Sequence, residues 1–97
     1  MFDKMKNLME MKKQADTMKK ELDRSTMECT DVRGIKIVIN GAQMIQQIEI
    51  DESWLAQANK QKIEMNMLRA VNAAITKSQK MAAKQMRNMM PEGFPGL

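Results

Sequence analysis

The sequence holds no histidine, no tyrosine and a single cysteine, Cys29. Without histidine the commonest neutral-pH general base and metal ligand is missing, and the serines have no base of that kind to activate them. One thiol cannot form an intrachain disulfide or a Cys/His zinc cluster, so Cys29 reads as a small buried hydrophobe in a reducing cytoplasm. The four glycines, Gly34, Gly41, Gly93 and Gly96, are scattered at turns and tail, and form no phosphate-cradling loop. The carboxylates Glu49, Asp51 and Glu52 sit together, but Asp51 and Glu52 stand where a helix start favours acids. We therefore expect no enzyme, no cofactor, no metal and no small-molecule substrate. No stretch approaches the ~18 consecutive apolar residues of a membrane span. The N-terminus is charged throughout and lacks the apolar run of a signal peptide.

Aromatic residues are equally scarce: Phe2, Trp54 and Phe94. Thirteen methionines, with Leu, Ile and Val, must fill the interior of a 97-residue chain, read as one domain over residues 1–97. Met5, Met9, Met11 and the Met65/Met67 and Met89/Met90 pairs could hold a soft metal, but helical spacing and the needs of a core explain them better. A thin, aromatic-poor core favours association into a two-fold homodimer.

The most legible stretch is Gly34 to Asp51, GIKIVINGAQMIQQIEID. Ile35, Ile37 and Ile39 alternate with Lys36 and Val38 as in a strand. Asn40-Gly41 predicts a two-residue type I′ turn, with strands over residues 35–40 and 42–50. Residues 26–32 also alternate, with Met27 and Cys29 on one face, and Arg33-Gly34 turns the chain into the hairpin. The result is a three-stranded antiparallel meander. Its apolar face gathers Ile35, Ile37, Ile39, Met44, Ile48 and Ile50, while Val38 and Ile45 fall on the opposite parity. Open edge strands would suit a partner subunit.

Helices flank the meander. Residues 3–24 read as a helix; in a heptad frame begun at Met1, one set of positions is Met1, Leu8, Ala15 and Leu22, and the other is Lys4, Met11, Met18 and Ser25. This is the spacing of a helix lying along another helix. Asp16 and Lys20 form an i,i+4 surface pair. Asp51-Glu52-Ser53 offers an N-cap for a short helix over 53–57, anchored by Trp54 and Leu55. A polar stretch then precedes a long amphipathic helix over 60–90, with Ile63, Met67, Val71, Ala74, Ile75, Ser78, Ala82 and Met89 on one side. At roughly 45 Å it outruns a small sheet, so its C-terminal half should project. Residues 91–97 form a non-helical tail. The fold class is thus α+β: N-terminal helix, three-stranded antiparallel meander, long C-terminal helix.

The net charge of +4 is unevenly spread. Residues 25–59 are net −3, whereas residues 60–90 are net +6 and contain no acid after Glu64. Lys77, Lys80, Lys84 and Arg87 fall within an arc of about 80° on the last helix. Lys6, Lys13 and Lys20 recur every seventh residue on the first. An acid-free basic stripe points to phosphate. The competing readings are a helical protein–protein interaction module whose basic faces are merely solvated, and a membrane-surface helix. The last lacks the aromatic residues such helices favour on their apolar face.

Three segments together resemble the bacterial YbaB/EbfC nucleoid-associated proteins. They are NLMEMKKQADTMKKEL, the block IKIVINGAQMIQQIEIDESWL and the tail MPEGFPGL. The resemblance spans nearly the whole chain. It implies a tweezers-shaped homodimer in the cytoplasm and nucleoid that binds double-stranded DNA with limited sequence preference, for nucleoid organisation or gene regulation, without catalysis. No compact DNA-contact signature transfers residue by residue. The chain departs from the family pattern in a shorter loop at Arg33-Gly34, and in AQANKQK where an acidic run is common.

Overall fold

The computed structural model describes residues 2–56 and 59–89. Its order is α1 (Phe2–Arg24), β1 (Thr26–Val32), β2 (Ile35–Asn40), β3 (Ile45–Ile50), α2 (Glu52–Ala56) and α3 (Lys60–Met89). The sheet order is β1-β2-β3, antiparallel throughout. The architecture is the expected α+β arrangement. The tail and the side chain of Met89 lie outside the described residues.

The core lies between the sheet and α3. Alternation on β2 sends Ile35, Ile37 and Ile39 to one face, where all three are buried. Each such isoleucine contributes about 1.5–3 kcal/mol when fully buried. Cys29 pairs with Ile37 and Met27 with Ile39, so β1 adds to the same face. A register shift between Cys29 and Val32 lets Val32 pair with Ile35 and join that layer, against its parity. From α3, Ala70, Ala74 and Ser78 close the layer, with Met67, Val71 and Ile75 at its margin. Small residues there let the helix approach the sheet closely.

Cys29 is 3% exposed, and burial pushes its thiol pKa up, opposed by nearby Lys77 and reinforced by Asp31. The native protein should therefore resist a maleimide at neutral pH and label fully once denatured. Rapid labelling of the native protein would contradict this packing.

The β2–β3 turn differs from the type I′ expectation. β3 begins at Ile45, not at residue 42, and Ile39 pairs with Ile45. The loop Gly41-Ala42-Gln43 is closed by hydrogen bonds from Asn40 N to Met44 O and from Gln43 N to Asn40 O. Neither Asn40 nor Gly41 has positive φ; Gln43 does, at 63°. This is the three-residue hairpin loop in which a turn is followed by one left-handed residue. A second register shift, between Val38 and Ile39, leaves Ile45 opposite Ile39 and so on the core-facing side, correcting its expected parity.

Gly41 serves a different purpose. Its N–H donates to both Leu22 O and Ser25 O, each at 2.9 Å. A Cβ there would stand 3.1 Å from Leu22 O and 3.2 Å from Leu22 Cα. The glycine thus lets the end of α1 rest directly on the hairpin. Asn40, 4% exposed, completes the junction. Its Nδ2 donates to Asp23 O, its Oδ1 accepts from the N–H groups of Ala42 and Met44, and its carbonyl accepts from Ser78 Oγ at 2.6 Å. Gln85 Nε2 donates to Ser25 Oγ from the other side.

Beyond this junction α1 has little support. Met18 and Leu22 are half-buried, but Met5, Leu8, Met9 and Met11 are all more than 60% exposed. The heptad spacing therefore finds a neighbouring helix only at its last repeat. Asp16 and Lys20 do not form the expected ion pair; Lys60–Glu64 is the i,i+4 pair among the described residues. The molecule is correspondingly long, 66 × 21 × 17 Å.

β3 is the least covered strand. α3 lies over β1 and β2, and every residue of β3 is exposed, including Ile45, Ile48 and Ile50. The expected packing of Ile48 and Ile50 into the core is thus not met within one chain. The other sheet face is polar, with Lys36 Nζ 3.1 Å from Glu49 and 3.7 Å from Glu28, which raises the lysine pKa.

Candidate nucleic-acid interface

α3 starts on Asn59, whose Oδ1 accepts from Lys62 N. The preceding α2 starts on Asp51, whose carboxylate accepts from the N–H and hydroxyl of Ser53 and has its pKa lowered by those bonds. Trp54 anchors this end: its indole N–H donates to Arg33 O at 3.1 Å, beneath the turn at Gly34, where φ is +82°. Leu55 is 72% exposed, so it does not share that anchoring within one chain.

From its buried face, α3 turns a set of cations outward. Lys77, Lys80, Lys84 and Arg87 are all exposed. They do not form one uniform stripe. Lys77 Nζ lies 3.0 Å from Asp31 of β1, so the acid-free run along the helix is neutralised at that point by an acid from the sheet. Lys77 also lies beside the sheet and not on the projecting part, since Ser78 is still buried against Asn40. Only about the last eleven residues of α3 outrun the sheet, not half of it. Lys80, Lys84 and Arg87 occupy that part, lining one shallow surface with Ala83 and Met86. No carboxylate among the described residues pairs with any of the three. On α1, Lys6, Lys13 and Lys20 are exposed and equally free of ion pairs among the described residues.

Among the described residues no group of three or more His, Cys, Asp or Glu is placed to hold a metal ion. No described helix is long and apolar enough to cross a membrane. The sequence matches the YbaB/EbfC DNA-binding family over residues 1–94. The chain belongs to that family. No curated protein matches it.

Sequence reasoning missed Asn59 as the cap of α3, though Asn three residues before Lys62 is a legible start signal. It also missed the Lys77–Asp31 pair, for which no local signal exists, since the partners are 46 positions apart.

Proposed function

We propose that this protein binds double-stranded DNA as a homodimer with limited sequence preference, and acts in nucleoid organisation or gene regulation at the bacterial nucleoid. The observation that carries the reading is the unpaired cation set Lys80, Lys84 and Arg87 on the projecting end of α3. Lys6, Lys13 and Lys20 on α1 assist, and Lys77 contributes less because Asp31 already engages it. Such contacts bind phosphates by charge and position the protein without reading bases. A gel-shift comparison of two unrelated random duplexes is the test. Affinities within a few-fold of each other support the reading. Binding to one short sequence alone would replace it with base readout.

The homodimer is supported by the row Ile45, Ile48 and Ile50, exposed on the core-facing side of an edge strand. Leu55, Met65 and Leu68 are also more than 60% exposed. Apolar surface of this extent is the usual mark of an interface. Sedimentation equilibrium should give about twice 11.2 kDa, and Ile48→Lys should shift the mass toward the monomer. A folded parent monomer at micromolar concentration would contradict the dimer.

A further inference from the structure

The seven bases of α3 divide cleanly when their partners and their helical positions are compared. Lys60 pairs with Glu64 at 3.6 Å and Lys77 with Asp31 at 3.0 Å. The other five, Lys62, Arg69, Lys80, Lys84 and Arg87, are exposed and have no carboxylate partner among the described residues. At 100° per residue Lys62, Arg69, Lys80 and Arg87 fall within an arc of about 20°, with Lys84 about 40° to one side. The two paired lysines lie off this line. The line is turned about 130° from the buried face of Ala70, Ala74 and Ser78, so it is the outer ridge of the helix, over the body as well as beyond it.

We infer that the DNA-binding surface is this whole ridge, including Lys62 and Arg69 on the body half of α3, and that the duplex lies along the helix axis. The inference rests on the DNA-binding reading above and extends its site. From Lys62 to Arg87 the ridge measures about 38 Å at 1.5 Å per residue. That is about one turn of B-DNA, roughly 34–36 Å, so a parallel duplex can offer phosphates to both ends. Between Arg69 and Lys80 the ridge is floored by Ala73 and Thr76, whose small side chains allow close approach. No acid of α3 interrupts it, and the exposed Met65 borders it between Lys62 and Arg69. Asn66, also on this side, folds back to donate to Lys62 O. At the body end Lys62 Nζ lies 6.0 Å from the centre of the Trp54 ring, and Arg33 lines the same cleft.

The test compares K62Q/R69Q with K80Q/R87Q and the parent, by fluorescence anisotropy on a random duplex of about two helical turns between 50 and 200 mM salt. If the ridge is the site, each double variant loses two phosphate contacts per chain. The log–log salt slope then becomes shallower by about 1.8 for each chain engaged, and affinity at 0.1 M salt falls roughly 60-fold for each, or about 4,000-fold for the dimer. R69Q alone, at an exposed position away from Trp54, should give about half the slope change and guards against a folding defect in the double variant. Parent-like affinity and slope for both K62Q/R69Q and R69Q, with a loss in K80Q/R87Q, would overturn the extended ridge while leaving DNA binding intact. Absence of DNA binding by the parent would overturn both.

Discussion

Replacing Lys80, Lys84 and Arg87 together by glutamate should abolish DNA binding while circular dichroism and dimer mass stay as in the parent. All three side chains are exposed and make no ion pair among the described residues, so the fold loses nothing it depends on. The effect on binding is large because each change removes an attraction and adds a repulsion. Loss of three contacts per chain alone weakens binding by more than roughly 100-fold at 0.1 M salt, and the added negative charges deepen it. Arg33→Glu is a milder comparison, since it changes one charge near Asp51 and not three on the projecting helix. Lys36→Glu should cost stability more than binding, because it would set three carboxylates together where Lys36 now joins Glu28 and Glu49. If the triple variant binds like the parent and the Lys36 or Arg33 variant does not, the DNA face is on the sheet.

Gly41→Val should be the most damaging single substitution for the fold. The branched side chain would begin 3.1 Å from Leu22 O and 3.2 Å from Leu22 Cα, both backbone atoms that cannot move without moving α1. Separating the two elements would break the hydrogen bonds from Gly41 N to Leu22 O and Ser25 O and strain the bond from Asn40 Nδ2 to Asp23 O. A loss of about 3 kcal/mol is expected from the overpacking and the broken bonds together. Because α1 has few other contacts with the body, it should detach before the sheet melts. Hydrogen exchange should then show lost protection across residues 2–24 with the β2 amides still protected. Unchanged thermal stability and intact protection of α1 would contradict the close-approach role given to Gly41.

Gly41 also shows what a local pattern can and cannot convey. Asn40-Gly41 between alternating residues marks a hairpin correctly, because strand period and turn chemistry are local. It does not distinguish a type I′ turn from a three-residue loop when the glycine is needed by a helix far away in sequence. The same limit explains Val32 and Ile45. Each is moved to the core-facing side by a register shift, and one inserted residue reverses a parity argument. The buried stripe of α3 was legible through Ala74 and Ser78, but not the reason a serine belongs there, which is the carbonyl of Asn40. On the charged side, the run of bases was legible and its sorting was not. Asp31 selects Lys77 out of the stripe from another element, and the spacing that aligns Lys62 and Arg69 with Lys80 and Arg87 is in the sequence, whereas which bases are paired is not.

The measurement that tests the account most directly is the salt dependence of binding to random duplex DNA. With about 6–10 phosphate contacts per dimer, the log–log slope should lie near −5 to −9, and affinity should fall roughly 10³- to 10⁵-fold between 50 and 200 mM salt. A flat response across that range, with binding retained, would contradict an interface built on the cations of α3.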